Sequence, residues 1–241
     1  MHNIIKLAGL DITAFDTLES MAQFILPGDG SVTSAVAVAM NPEKIMSARK
    51  DPATWAILEQ ATLRYPDGIG VVWALRRKGY EAARIPGADL WEMLMARAAS
   101  LGTPVFLLGA APAVLEKTVQ KLRENYPSIN IGGALDGYAD EQARVSFGQD
   151  IKRAGGGIVA VAMGSPLQEK IIMNLKSACP EAFFMGVGGT FDCYVGAVNR
   201  APEFWQRINL EWFYRLIKQP SRIKRQWKYL PYALLVLSGR L

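Results

Sequence analysis

Histidine is nearly missing from this chain: among 241 residues only His2 is present, close to the N-terminal end. A histidine general base is therefore improbable, and Ser–His or Cys–His nucleophilic arrangements are excluded. Cysteine occurs only as Cys179 and Cys193. That is neither a disulfide framework nor a zinc spacing, and it fits a reducing compartment. No Asp-x-Asp pair and no clustered Cys/His set occurs. A metal holding a diphosphate has no obvious ligands, so the expected site has no metal and no cofactor. The chain also lacks a GxGxxG fingerprint and a P-loop, which weakens dinucleotide and NTPase readings. Long apolar runs are missing too. The longest near the end, Tyr229–Leu237, contains Pro231 and falls short of a transmembrane helix. The apolar run after His2 carries Lys6 and soon meets Asp11, so no signal peptide is expected.

Half of the residues are hydrophobic, and the length suits one sizeable α/β domain with a small appendage. The net charge of +5 is uneven. Residues 200–241 hold nine Lys or Arg against Glu203 and Glu211, whereas the first 199 residues hold 18 basic against 20 acidic. A near-neutral core (1–199) and a cationic appendage (200–241) are expected. The appendage implies an anionic partner such as phosphate or a membrane surface. Nucleic acid is disfavoured, because the charge is local and no reader motif accompanies it.

Apolar runs alternate with helical patterns. The pattern predicts a strand over Ile4–Leu10, a helix from Asp16 (with Glu19 three residues later) to about Phe24, and a buried strand over Ser34–Met40. Helices are predicted from Pro42, over Pro52–Leu63, over Ile69–Arg77 and over Leu90–Ser100. Further on, strands are predicted at Pro104–Leu108, Ile129–Ile131, Gly157–Met163 and Ala182–Val187. Helices over Ala113–Asn125, Glu141–Arg153 and Leu167–Ser177 separate them. This order predicts a Rossmann-like, mostly parallel α/β sheet with helices on both faces, whose ligands bind at the carboxyl ends of the strands. From Arg200 the pattern is helical only, with a break at Pro220-Ser221. Arg222, Arg225 and Lys228 lie beside an apolar face of Ile223, Trp227, Leu230 and Leu234. Such a helix suits a membrane interface, or equally an ordinary docked helix.

Several strand-end loops carry candidate chemistry. Gly109-Ala110-Ala111-Pro112 and Gly164-Ser165-Pro166 place small residues at helix starts, where free N–H groups favour an anion. Gly186-Val187-Gly188-Gly189-Thr190 is a third such end. Gln168 and Glu169 follow the second loop and are either capping residues or hydrogen-bond partners for sugar hydroxyls or a base edge. Asn41, Asp89 and Asp192 are each either a cap or a ligand-facing polar group. Arg64-Tyr65-Pro66-Asp67-Gly68 places one carboxylate, Asp67, on a turn. Pro-Asp-Gly is a common turn sequence in its own right.

Taken in order, these motifs resemble the bacterial WecG/TagA/CpsF glycosyltransferases. The resemblance runs roughly from Ser34 to Arg225. It rests on Met40-Asn41-Pro42-Glu43-Lys44, Tyr65-Pro66-Asp67-Gly68-Ile69, Arg84-Ile85-Pro86-Gly87-Ala88-Asp89-Leu90 and Asp136-Gly137-Tyr138. It continues through Met163-Gly164-Ser165-Pro166-Leu167-Gln168-Glu169, Gly186-Val187-Gly188-Gly189-Thr190-Phe191-Asp192 and Arg200-Ala201-Pro202. The last matches are Glu211-Trp212-Phe213-Tyr214-Arg215-Leu216 and Pro220-Ser221-Arg222.

The resemblance implies transfer of N-acetylmannosamine or its uronic acid from UDP to a prenyl-diphosphate-linked N-acetylglucosamine. It is strongest toward members that use the uronic acid in enterobacterial common antigen synthesis. It implies Asp67 as the base, Arg84 and Gln168 in the active site, and Arg215, Arg222 and Arg225 as diphosphate ligands at the membrane. Teichoic-acid members carry Thr where this chain has Ala39, so a hydroxyl contact there does not transfer. The expected partners are a UDP-sugar, undecaprenyl-diphosphate-GlcNAc and the cytoplasmic face of the membrane, with a possible homo-oligomer off the membrane. The alternatives are an N-acetylmannosamine transferase of another surface polysaccharide, or a non-catalytic nucleotide- or phospholipid-binding module.

Overall fold

The computed structural model describes residues 2–202, 204–205, 211, 213–214 and 229–241. Six parallel strands form the central sheet: β3 (Ala35–Met40), β4 (Leu63–Pro66), β5 (Val105–Gly109), β6 (Ile131–Leu135), β7 (Ile158–Ala162) and β8 (Phe183–Gly186). Their order is β4-β3-β8-β7-β5-β6. Alternation along the strands divides the core. Val36, Val38, Phe106, Leu108, Val159, Val161 and Phe184 enter one apolar cluster. Ala35, Ala37, Val105, Leu107, Ile158, Ala160 and Phe183 enter the other. A sheet buried on both faces needs this near-continuous apolar sequence.

Helices cover both faces. On the first lie α2 (Pro42–Ala48), α3 (Pro52–Gln60), α4 (Ile69–Arg77), α7 (Glu141–Arg153) and α8 (Leu167–Ala178). On the second lie α1 (Leu18–Ile25), α5 (Gly87–Leu101), α6 (Pro112–Asn125) and α9 (Thr190–Tyr194). The predicted α/β architecture with a mostly parallel sheet is the one observed.

Three strands depart from the sequence reading, and one of them is β6, which spans Ile131–Leu135 and meets the expected Ile129–Ile131 only at Ile131. Residues 2–15 form an antiparallel hairpin, β1 (His2–Leu7) and β2 (Leu10–Phe15), where a single strand was expected. Ala8 and Gly9 turn it with φ of 54° and 87°, the geometry of a two-residue hairpin turn. The following helix is capped by Thr17, in a reciprocal box with Ser20, rather than by Asp16 with Glu19. The predicted helix Pro52–Leu63 ends at Gln60, and Leu63–Pro66 is the edge strand β4. Arg64 secures this edge: its guanidinium donates to the carbonyls of Asp11 (2.7 Å), Leu58 (2.7 Å) and Ala61.

The C-terminal helix α10 (Tyr229–Leu237) packs against α2 and α4. Tyr232 and Val236 are buried in the first cluster, and the Tyr232 hydroxyl donates to the Gly70 carbonyl at 3.1 Å. Leu230, Leu234 and Leu237 stay exposed. Phe204, Trp205, Glu211, Phe213 and Tyr214 are helical. Arg215, Arg222 and Arg225, predicted to hold the diphosphate, lie outside the described residues. No helix among the described residues is long and apolar enough to cross a membrane.

Candidate active site

The carboxyl ends of β4, β3, β8 and β7 share one edge of the sheet, and most of the predicted residues follow them. Asp67 comes directly after β4. Its turn is fixed by backbone bonds: the N–H groups of Asp67 and Gly68 donate to the Met40 carbonyl at the end of β3 (3.0 and 3.2 Å). The segment 84–87 lies across the same strand end, with Ile85 N–H donating to the Pro66 carbonyl at 2.9 Å. That places the Gly87 N–H 3.2 Å from Asp67 Oδ1. Asp67 is half-buried. Burial pushes its carboxyl up from the ordinary carboxylate range. The Gly87 N–H and the charges of Arg84 and Lys44 counter this only in part, and Glu211 adds to it.

Lys44 was not among the residues singled out from the sequence, although it closes the Asn41-Pro42-Glu43-Lys44 motif. It lies in the first turns of α2, where the Asn41 side chain caps the helix by accepting from the Lys44 N–H at 2.9 Å. Asn41 thus caps α2 through its side-chain oxygen. The Lys44 ammonium sits 2.8 Å from Glu169 Oε1, with the two side chains 13% and 4% exposed. Burial pushes the Glu169 carboxyl up, but the charge and hydrogen bond of Lys44, with help from Ser165, hold it below its usual range. Its second oxygen, Oε2, is buried with no hydrogen-bond partner among the described residues. That is an open acceptor inside a built site.

Gln168 is buried and bridges two strand ends. Its carboxamide oxygen accepts from the Gly188 N–H at 2.9 Å, and its nitrogen lies 3.4 Å from Glu169 Oε1. Gly188 has a φ of 54°, which lets the loop after β8 turn its N–H back onto Gln168. Gly164, which opens the α8 turn, accepts the Gln168 N–H through its carbonyl. Gly109, at the end of β5, leaves no room for a side chain beside the Ala162 backbone and serves close packing of β5 on β7.

Other predicted residues have local partners. Asp89 pairs with Arg200 at 2.5 Å, and Arg200 also lies 3.9 Å from Glu211. The Thr190 hydroxyl donates to the Val187 carbonyl at 2.6 Å. Asp192 lies in the first turn of the five-residue α9, which Gly189 caps without a side-chain bond. The structure therefore gathers Asn41, Asp67, Arg84, Gln168, Glu169 and Gly188 on one edge, adds Lys44, and leaves Asp89 in an ion pair beside it.

A half-buried carboxylate under the charges of Arg84 and Lys44, with the unpartnered Glu169 oxygen, lies at the carboxyl ends of a parallel sheet, where α/β folds bind their ligands. The family comparison makes this specific. The sequence model of the glycosyl transferase WecG/TagA/CpsF family matches residues 5–241, and the chain belongs to that family. It is a glycosyltransferase, of a family acting on lipid-linked precursors with UDP-sugar donors.

Two stability measurements check the electrostatics. Lys44→Met leaves Glu169 buried and uncompensated, and is expected to cost about 3–5 kcal/mol in urea unfolding at neutral pH. Because Glu169 is held below its ordinary range, the loss should shrink as pH falls through that depressed value. Asp67 has the opposite sign. Its folded-state proton affinity is raised, so its ionised form opposes folding above the ordinary carboxylate range. Asp67→Asn should therefore melt higher than wild type at pH 8, with the difference closing by about pH 4.

Proposed function

We propose that the protein is an inverting, metal-independent glycosyltransferase. In this reading it moves N-acetylmannosaminuronic acid from UDP to undecaprenyl-diphosphate-linked N-acetylglucosamine, a precursor of enterobacterial common antigen. The observation that carries the mechanism is Asp67. Its carboxylate sits on the strand-end edge, one oxygen is held by the Gly87 N–H, and burial raises its affinity for a proton. A base of this kind takes a proton more readily at neutral pH than an ordinary carboxylate.

Asp67 takes the proton from the acceptor hydroxyl. The freed oxygen attacks the anomeric carbon of the donor, the bond from that carbon to the UDP oxygen breaks, and the configuration inverts. The free Oε2 of Glu169 offers an acceptor for a donor hydroxyl, and Arg84 a cation for a donor carboxylate. The departing diphosphate is neutralised by Arg215, Arg222 and Arg225 of the 200–241 appendage, together with loop N–H groups.

That appendage binds the cytoplasmic face of the membrane. Leu230, Leu234 and Leu237 recur at helical spacing on the exposed side of α10, which favours this reading. Off the membrane, a second copy of the chain covers the same apolar side.

A panel of UDP-sugars tested with a short-chain prenyl-diphosphate-GlcNAc, and read by mass, checks the assignment. The expected product carries a single added N-acetylmannosaminuronic acid in β-linkage. Addition of N-acetylmannosamine would move the chain to the neutral-sugar branch, and no transfer from any donor would end the enzymatic reading.

A further inference from the structure

We propose that Tyr65 is a positioning residue for Asp67: its buried hydroxyl is a second donor, beside the Gly87 N–H, to the Asp67 carboxylate once that group is ionised. The functional part of this inference rests on the reading of Asp67 as the base.

Tyr65 is the last residue but one of β4 and Asp67 follows the strand end directly, close enough for its charge to act on the Tyr65 phenol. Tyr65 is fully buried, and its Oη has no hydrogen-bond partner among the described residues. A buried hydroxyl left this way is costly and calls for a partner. Gly87 adjoins both this hydroxyl and the Asp67 carboxylate. A side-chain carbon placed on Gly87 would come within 3.1 Å of Tyr65 Oη, while the Gly87 N–H already reaches Asp67 Oδ1 at 3.2 Å. Hydroxyl and carboxylate thus both adjoin one residue, and glycine there leaves the hydroxyl uncrowded. Burial first, and the Asp67 charge second, push the Tyr65 phenol far up, so it remains a proton donor throughout the working range.

The other groups facing Asp67 are Lys44 from α2, Arg84 from the loop before α5, Glu211, and Tyr229 at the start of α10. Lys44 and Arg84 favour the ionised carboxylate and Glu211 opposes it. They act through charge, whereas Tyr65 and Gly87 can fix the plane of the carboxylate through directional hydrogen bonds. Two donors on that side leave the other oxygen turned to the acceptor hydroxyl.

The test uses full-length protein labelled with [13C]carboxyl aspartate. The Asp67 resonance is identified by its loss in Asp67→Asn and is titrated in wild type and Tyr65→Phe. The Asp67 midpoint is expected to rise by about half to one pH unit in Tyr65→Phe, the size of one lost hydrogen bond. The acid limb of kcat should move with it while KM is unchanged. Gly87→Ala, which crowds Oη, should shift the midpoint in the same direction and serves if Tyr65→Phe folds poorly. An unchanged or lowered midpoint overturns the proposal. A raised midpoint with an unmoved acid limb keeps the Tyr65–Asp67 contact and removes Asp67 from the base role.

Discussion

The site is organised around one buried ion pair, Lys44 with Glu169. The two residues come from the helices that follow β3 and β7, and β8 runs between those strands. Taking both charges out of water is expensive, and their attraction offsets that cost only while the 2.8 Å contact is kept. The pair therefore fixes α2 relative to α8. The consequences spread from there. Asn41 caps the helix that carries Lys44, Gln168 ties Glu169 to the β8 loop, and the Lys44 charge reaches Asp67. A loose Lys44 would leave Glu169 buried and unpaired, and Asp67 with one cation fewer.

Competing electrostatic effects set the character of Asp67. Arg84, Lys44 and the Gly87 N–H all favour its charged form, yet burial outweighs them. The opposite balance holds at Glu169, where a direct ammonium contact outweighs burial. Two carboxylates on one sheet edge are thus separated in behaviour by their surroundings. The Glu169 carboxyl is held below its ordinary range and the Asp67 carboxyl above it. Such a division is a common way for a fold to run acid–base chemistry near neutral pH.

Much of this was legible in the sequence, for identifiable reasons. The buried strands Ala35–Met40 and Ile158–Ala162 are unbroken apolar runs, and Gly or Pro marks the turns after them, so strand–turn–helix order could be read directly. The hairpin was missed because Ala8-Gly9 interrupts what looks like one run, although Leu10, Ile12 and Ala14 then alternate with polar residues. Strand β4 is only four residues long and ends on Pro66, which leaves almost no pattern to detect. Lys44 was passed over because a lysine in the first turn of an amphipathic helix reads as a solvent-facing charge. Its partner is 125 residues away, a pairing that only the sheet order creates. Asp89 was readable as a loop residue before a helix and Thr190 as a strand-end residue, but their local partners Arg200 and Val187 were not.

The most direct measurement of Asp67 as the proton acceptor is single-turnover transfer by Asp67→Asn with donor and lipid acceptor both saturating. General-base removal predicts a fall of about 10²–10⁴-fold in the transfer rate. UDP-sugar binding, followed by calorimetry on the same protein, should stay near the wild-type value. Transfer at the wild-type rate by folded, donor-binding Asp67→Asn would contradict the account.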